Sequence, residues 1–175
     1  MRTLLPVLLG ILTVVGAASH PTQACGDKFL LVGRGVKFQR AYAAVFPASI
    51  VIYAHPQRQT AKAIRDPRLQ ADLNLAGHHV LLIETDAALA RALESGTVDL
   101  VLTDVADADR MSTQGQASPS RPTVLPVMYE PTQQEAKEIE ARYQCRLKSS
   151  DRADRYLATI DDAMKARVAR RKKNS

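Results

Sequence analysis

The sequence predicts an α/β domain: a three-layer, doubly wound, parallel sheet of five strands with helices on both faces. Two observations carry that expectation. From residue 49 onward, short apolar runs alternate with amphipathic helical stretches five times. The connections between them are short, which calls for parallel strands joined by right-handed crossovers. A chain of 175 residues, with 46 % hydrophobic and 24 % charged residues, is balanced like a folded protein with one core.

The elements follow in order. Ser49 to Tyr53 is a β-branched run between Pro47 and Pro56, the pattern of an interior strand buried on both faces. Asp66 and Pro67 supply an N-cap and a first-turn proline. Leu69, Leu73 and Ala76 repeat at helical spacing, and Gly77 closes the helix. His79 to Ile83 forms the second strand, Asp86 caps a helix with Leu89, Ala92 and Leu93 on one face, and Gly96 ends it. Val98 to Thr103 is the third strand.

The polar stretch from Ala106 to Arg121, rich in Asp, Ser, Gln and Pro, is expected to be one helical turn and a flexible loop. Thr123 to Tyr129 is the fourth strand, and Pro126 argues for an irregular or edge position. Pro131 to Tyr143 is helical with Ala136, Ile139 and Tyr143 inward. A short strand around Cys145 to Leu147 follows, and Asp151 caps a last helix whose stripe runs through Tyr156, Leu157, Ile160, Ala163, Met164 and Val168.

Residues 1–24 are expected to be a removed secretory peptide. Arg2 precedes an apolar run from Leu4 to Val15, too short for a comfortable membrane span, and small residues follow at which a peptidase cuts. Residues 25–48 form an N-terminal extension in which Phe29 to Val32 has strand character and Val36 to Val45 helical character. Gly33, Arg34 and Gly35 mark a turn, since the third glycine of a dinucleotide fingerprint is absent.

Export gives the two cysteines, Cys25 and Cys145, a compartment in which a disulfide persists. Their pairing would close a loop whose entropy is worth roughly 4 to 5 kcal/mol. Lipidation of Cys25 is the competing reading and would forbid the bridge. The mature chain is expected to be periplasmic or secreted, with no transmembrane segment.

The formal net charge is +6, and most of the excess lies at the end of the last helix in Lys165, Arg167, Arg170, Arg171, Lys172 and Lys173. Cations suit a helix C-terminus, with residues 169–175 as a basic tail and weak contact with an anionic membrane surface as the functional reading. Export and aromatic residues at 5 % argue against nucleic acid.

Several segments carry a resemblance. Leu75 to Val80, Thr85 to Leu93 and Val98 to Val105 are similar to the receiver domains of bacterial response regulators, a flavodoxin-like fold. Cys145 to Lys148 and the helix after it resemble that family's fifth strand, its lysine and its last helix. The resemblance spans about residues 49–168. It implies that Asp104 occupies the phosphate-accepting position and Lys148 that of the lysine.

The chemistry of phosphorylation is largely missing. An aspartate accepts a phosphoryl group only with Mg²⁺ held by further carboxylates. Where the family has an acidic pair after the first strand, this chain has Ala54 and His55. Asp107 and Asp109 would have to approach from the expected loop, and Met128, Tyr129 and Glu130 stand where the family has its hydroxyl switch residue.

The expected site is therefore a binding constellation at the strand carboxyl ends: Tyr53, His55, Thr103, Asp104, Tyr129, Glu130 and Lys148. Asp104 and Lys148 would form an ion pair. No catalytic residue, cofactor or metal site is expected. His78 and His79 face opposite ways on a strand and cannot share a metal. The expected function is a non-catalytic exported module that binds an unidentified protein partner, and the alternative is a small-molecule or anion binding protein.

Overall fold

The computed structural model describes residues 43–174. The secretory peptide, Cys25, the strand over 29–32 and most of the helix over 36–45 lie outside the described residues. Residues 43–45 are not helical. The element order is β1 (Ser49–Tyr53), α1 (Ala61–Ile64), α2 (Pro67–Leu75), β2 (His79–Ile83), α3 (Asp86–Glu94), β3 (Leu100–Asp104), α4 (Val105–Ala117), β4 (Thr123–Met128), α5 (Gln133–Arg142), β5 (Leu147–Lys148) and α6 (Ala153–Asn174).

All five strands are parallel and lie in the order β2-β1-β3-β4-β5. This is the flavodoxin-like order, in which winding reverses between β1 and β3. Alternation along the strands splits the core in two. Ile50, Ile52, Leu100, Leu102, Leu125 and Val127 pack against α1, α2 and α6. Val51, Tyr53, Val101 and Ile83 pack against Leu89 and Leu93 of α3 and Met111 of α4. Helices on both faces explain why β3 is buried at every position. Edge strand β2 alternates exposed with half-buried residues over its first four positions.

The five parallel strands are as expected, the short helix α1 is an element the sequence did not suggest, and five local expectations are corrected. The stretch taken for a loop is the 13-residue helix α4. Its polar composition hides a stripe of Asp107, Ala108, Met111 and Gly115, all buried, at the three- and four-residue spacing that faces a sheet. Thr85, not Asp86, caps α3, accepting a hydrogen bond from the Ala88 amide at 3.3 Å. Asp151 does not cap α6: its carboxylate accepts from the Lys148 amide at 2.7 Å, and the helix starts at Ala153.

β5 is displaced to Leu147–Lys148. It pairs only with Val127 and Met128 of β4, so Pro126 lies where β4 has no neighbour on that side and its missing amide hydrogen leaves no ladder bond unmade there. The basic end of the chain is helical rather than a tail, since α6 runs to Asn174.

The domain also begins before Ser49. Ala48 is part of the core and Phe46 packs against it, while the Val45 and Phe46 amides both donate to the Asp161 carboxylate of α6 at 3.2 Å. Gly77, with φ +100°, supplies the conformation that ends α2. Among the described residues, no helix is long and apolar enough to cross a membrane.

Candidate functional site

At the β1/β3 switch point the chain leaves β1 toward one face and β3 toward the other, and the crevice between is where open α/β sheets bind ligands. Asp104 is the last residue of β3 and the N-cap of α4. One carboxylate oxygen accepts from the Ala106 amide at 2.8 Å, and the other accepts from the buried Thr60 hydroxyl, just before α1, at 2.6 Å. The carboxylate is 44 residues from the hydroxyl that holds it.

A second cluster sits on the first turn of α4. The Asp107 side chain is 3 % exposed and accepts a bidentate pair of hydrogen bonds from Arg58, both at 2.7 Å, with Arg110 adding a third at 3.2 Å. Arg110 also donates to Asp86 at 2.7 Å and to the Tyr53 hydroxyl at 3.2 Å, and its guanidinium lies 5.5 Å from the centre of the Tyr53 ring. The Tyr53 hydroxyl in turn donates to Asp86 at 2.6 Å. Two carboxylates, two guanidinium groups and the Tyr53 hydroxyl thus form one chain of contacts beside Asp104.

The electrostatics follow from the contacts. Arg58 holds Asp107 below the usual carboxylate range against the opposing effect of burial. The Tyr53 hydroxyl and Arg110 do the same for Asp86. Tyr53 is raised by burial first and by Asp86 second. Arg58 and Arg110 hold their protons more tightly than free guanidinium groups, chiefly through Asp107 and Asp86 respectively.

The expected constellation is divided by the sheet. Tyr53, His55, Thr103 and Asp104 come together at the β1/β3 tip. The His55 ring lies 6.1 Å from that of Tyr53, and its Nδ1 accepts from the Gln57 amide at 3.4 Å. The buried Thr103 hydroxyl has no hydrogen-bond partner among the described residues. Tyr129 and Glu130 are exposed in the turn after β4. Lys148 is on β5 and exposed.

The expected Asp104 to Lys148 ion pair is absent. Asp104 is turned toward α1 and α4, while β4 stands between β3 and β5.

The residues that reasoning from sequence missed are Arg58, Thr60 and Arg110. Asp107 and Arg110 are an i, i+3 ion pair, a signal that exists only once the stretch is recognised as helical. Asp109, the other candidate carboxylate, meets Arg142 at the end of α5 and the hydroxyl of Tyr143 just after it. Among the described residues, no group of three His, Cys, Asp or Glu side chains is placed to hold a metal ion.

A separate open groove of about 680 Å³ lies at the carboxyl ends of β4 and β5, lined by Met128, Arg146, Lys148, Asp151, Arg152 and Arg155 among others. Cys145 is half-buried and packs against the core. Comparison with known proteins finds no matching family model, no matching curated protein and no matching solved structure.

Proposed function

We propose that the chain is an exported, non-catalytic, receiver-like module that works by binding a protein partner and is not phosphorylated. One observation carries this reading: both oxygens of Asp104 are engaged by Thr60 and by the backbone of α4. Beside it, Arg58 and Arg110 neutralise Asp107 and Asp86. An acceptor carboxylate needs a free oxygen facing a metal-held phosphoryl group, and here guanidinium groups stand where carboxylates would have to gather around a cation.

The test is a thermal-shift series on the mature chain with Mg²⁺ alone, with Mg²⁺ and beryllofluoride, and with acetyl phosphate. The melting temperature is expected to stay constant. A clear rise with beryllofluoride would mean that Asp104 is released on ligand binding, and the reading would be abandoned.

Export and a Cys25 to Cys145 bridge belong to the same proposal. The mass of the mature protein with and without reductant reads cleavage, lipidation and the bridge together. A lipid on Cys25 rules the bridge out.

A second reading, a periplasmic binding protein for a small molecule or anion, is favoured by the groove beside Lys148, which four cationic side chains line. The β1/β3 crevice favours it less, because Arg58, Arg110 and their carboxylates already satisfy one another.

A further inference from the structure

We infer that the groove at the carboxyl ends of β4 and β5 is the docking site for an acidic segment of the partner protein. This rests on the binding-module reading and names the surface and the chemistry of its partner. Arg146 and Lys148 reach the groove from β5 and the turn before it, and Arg152 and Arg155 from the start of α6. The positive end of the 22-residue α6 dipole adds to their field.

Four cationic side chains line the groove against two carboxylates, Asp151 and Asp154, so positive charge is in excess. Asp151 accepts a hydrogen bond from the Lys148 amide at 2.7 Å. Asp154 meets Arg152 only at 3.7 Å, and the Arg152 side chain is 89 % exposed. Arg146 is paired with Glu140 at 2.9 Å, so the charge offered to a partner comes chiefly from the exposed Lys148 and Arg152.

Shape and composition favour a peptide over a lone ion. The groove is open rather than enclosed, its volume of about 680 Å³ exceeds that of a lone ion, and it includes buried Met128. Tyr129, next in the chain, is 44 % exposed. Arginine, tyrosine and methionine are the residue types enriched where proteins meet, and a guanidinium fork matches a carboxylate with two parallel hydrogen bonds. Arg58 and Arg110 offer no comparable surface, being spent on Asp107 and Asp86.

The experiment titrates the isotope-labelled mature chain with a short oligoglutamate peptide at low salt and follows backbone amide shifts. Inorganic phosphate and vesicles of anionic phospholipid serve as parallel arms. Shifts are expected across residues 146–155, and they are expected to fade as salt screens the contact. Lys148→Glu combined with Arg152→Glu should weaken the peptide at least ~tenfold.

Lys148→Gln with Arg152→Gln should weaken it less, and Lys172→Glu with Lys173→Glu should leave it unchanged. A thermal midpoint measured for each variant separates lost binding from lost fold. Shifts confined to the far end of α6, saturation of the groove by phosphate as readily as by peptide, or stronger binding to vesicles would each overturn the inference. The beryllofluoride result reports on Asp104 alone, so the parent reading succeeds or fails independently.

Discussion

Asp104 and Lys148 separate what a strand position implies from what a side chain does. The acidic end of β3 is legible in the sequence as an apolar run ending in Asp, but its role as the cap of α4 is not, because the polar stretch after it reads as a loop. Its partner is not legible, since Thr60 is contributed by a different crossover, 44 residues away. Asp104→Ala removes the cap of α4 and leaves the buried Thr60 hydroxyl without its acceptor. It should therefore cost about 2 kcal/mol. Lys148→Ala should cost almost nothing, and the two changes should add to within ~0.5 kcal/mol in urea unfolding. A coupling of ~1 kcal/mol or more between them would restore the ion pair that the structure lacks.

Among elements, α4 and α5 show how composition misleads. α4 is rich in Asp, Ser, Thr and Gln, yet one face of it is buried against β3 and β4, so a helix is held by tertiary contact where propensity is weak. α5 has good helix formers and Glu135 in its first turn, and it was legible, but it buries no side chain fully. Its hold comes from its ends. Thr132 and Glu135 form a reciprocal capping box, with Glu135 accepting from the Thr132 amide at 2.8 Å and Thr132 accepting from the Glu135 amide at 3.2 Å. Asp109 of α4 reaches Arg142 and Tyr143 at the other end. Thr132→Ala should cost about 1 kcal/mol, felt locally: amide exchange over 133–142 should quicken roughly fivefold while the strands keep their protection. Equal loss of protection in β3 would show that α5 is part of the cooperative core.

For the whole molecule, five alternations of strand and helix were enough to fix the direction of the strands, since short crossovers admit only parallel pairing with a right-handed turn. What the pattern left hidden is how the two faces respond to acid. His78 is buried in the turn before β2, and neither ring nitrogen has a hydrogen-bond partner among the described residues. Burial pushes its pKa below the ordinary 6.5, with Asp161 opposing. As pH falls through about 6.5, the unfolded chain takes up a proton that the folded chain refuses, so stability declines until the lower, folded pKa is passed. Asp107 titrates on the opposite face. Its folded pKa is depressed by Arg58, so its contribution is intact above about 4 and disappears as pH drops through the folded value. Unfolding free energies from urea titrations between about pH 8 and 3 should therefore fall in two limbs, the first with a slope of at most ~1.4 kcal/mol per pH unit for the single proton. His78→Leu should flatten the first limb and leave the second. A wild-type free energy that stays level from pH 7 to 5 would mean that His78 is protonated as readily inside the fold as outside it.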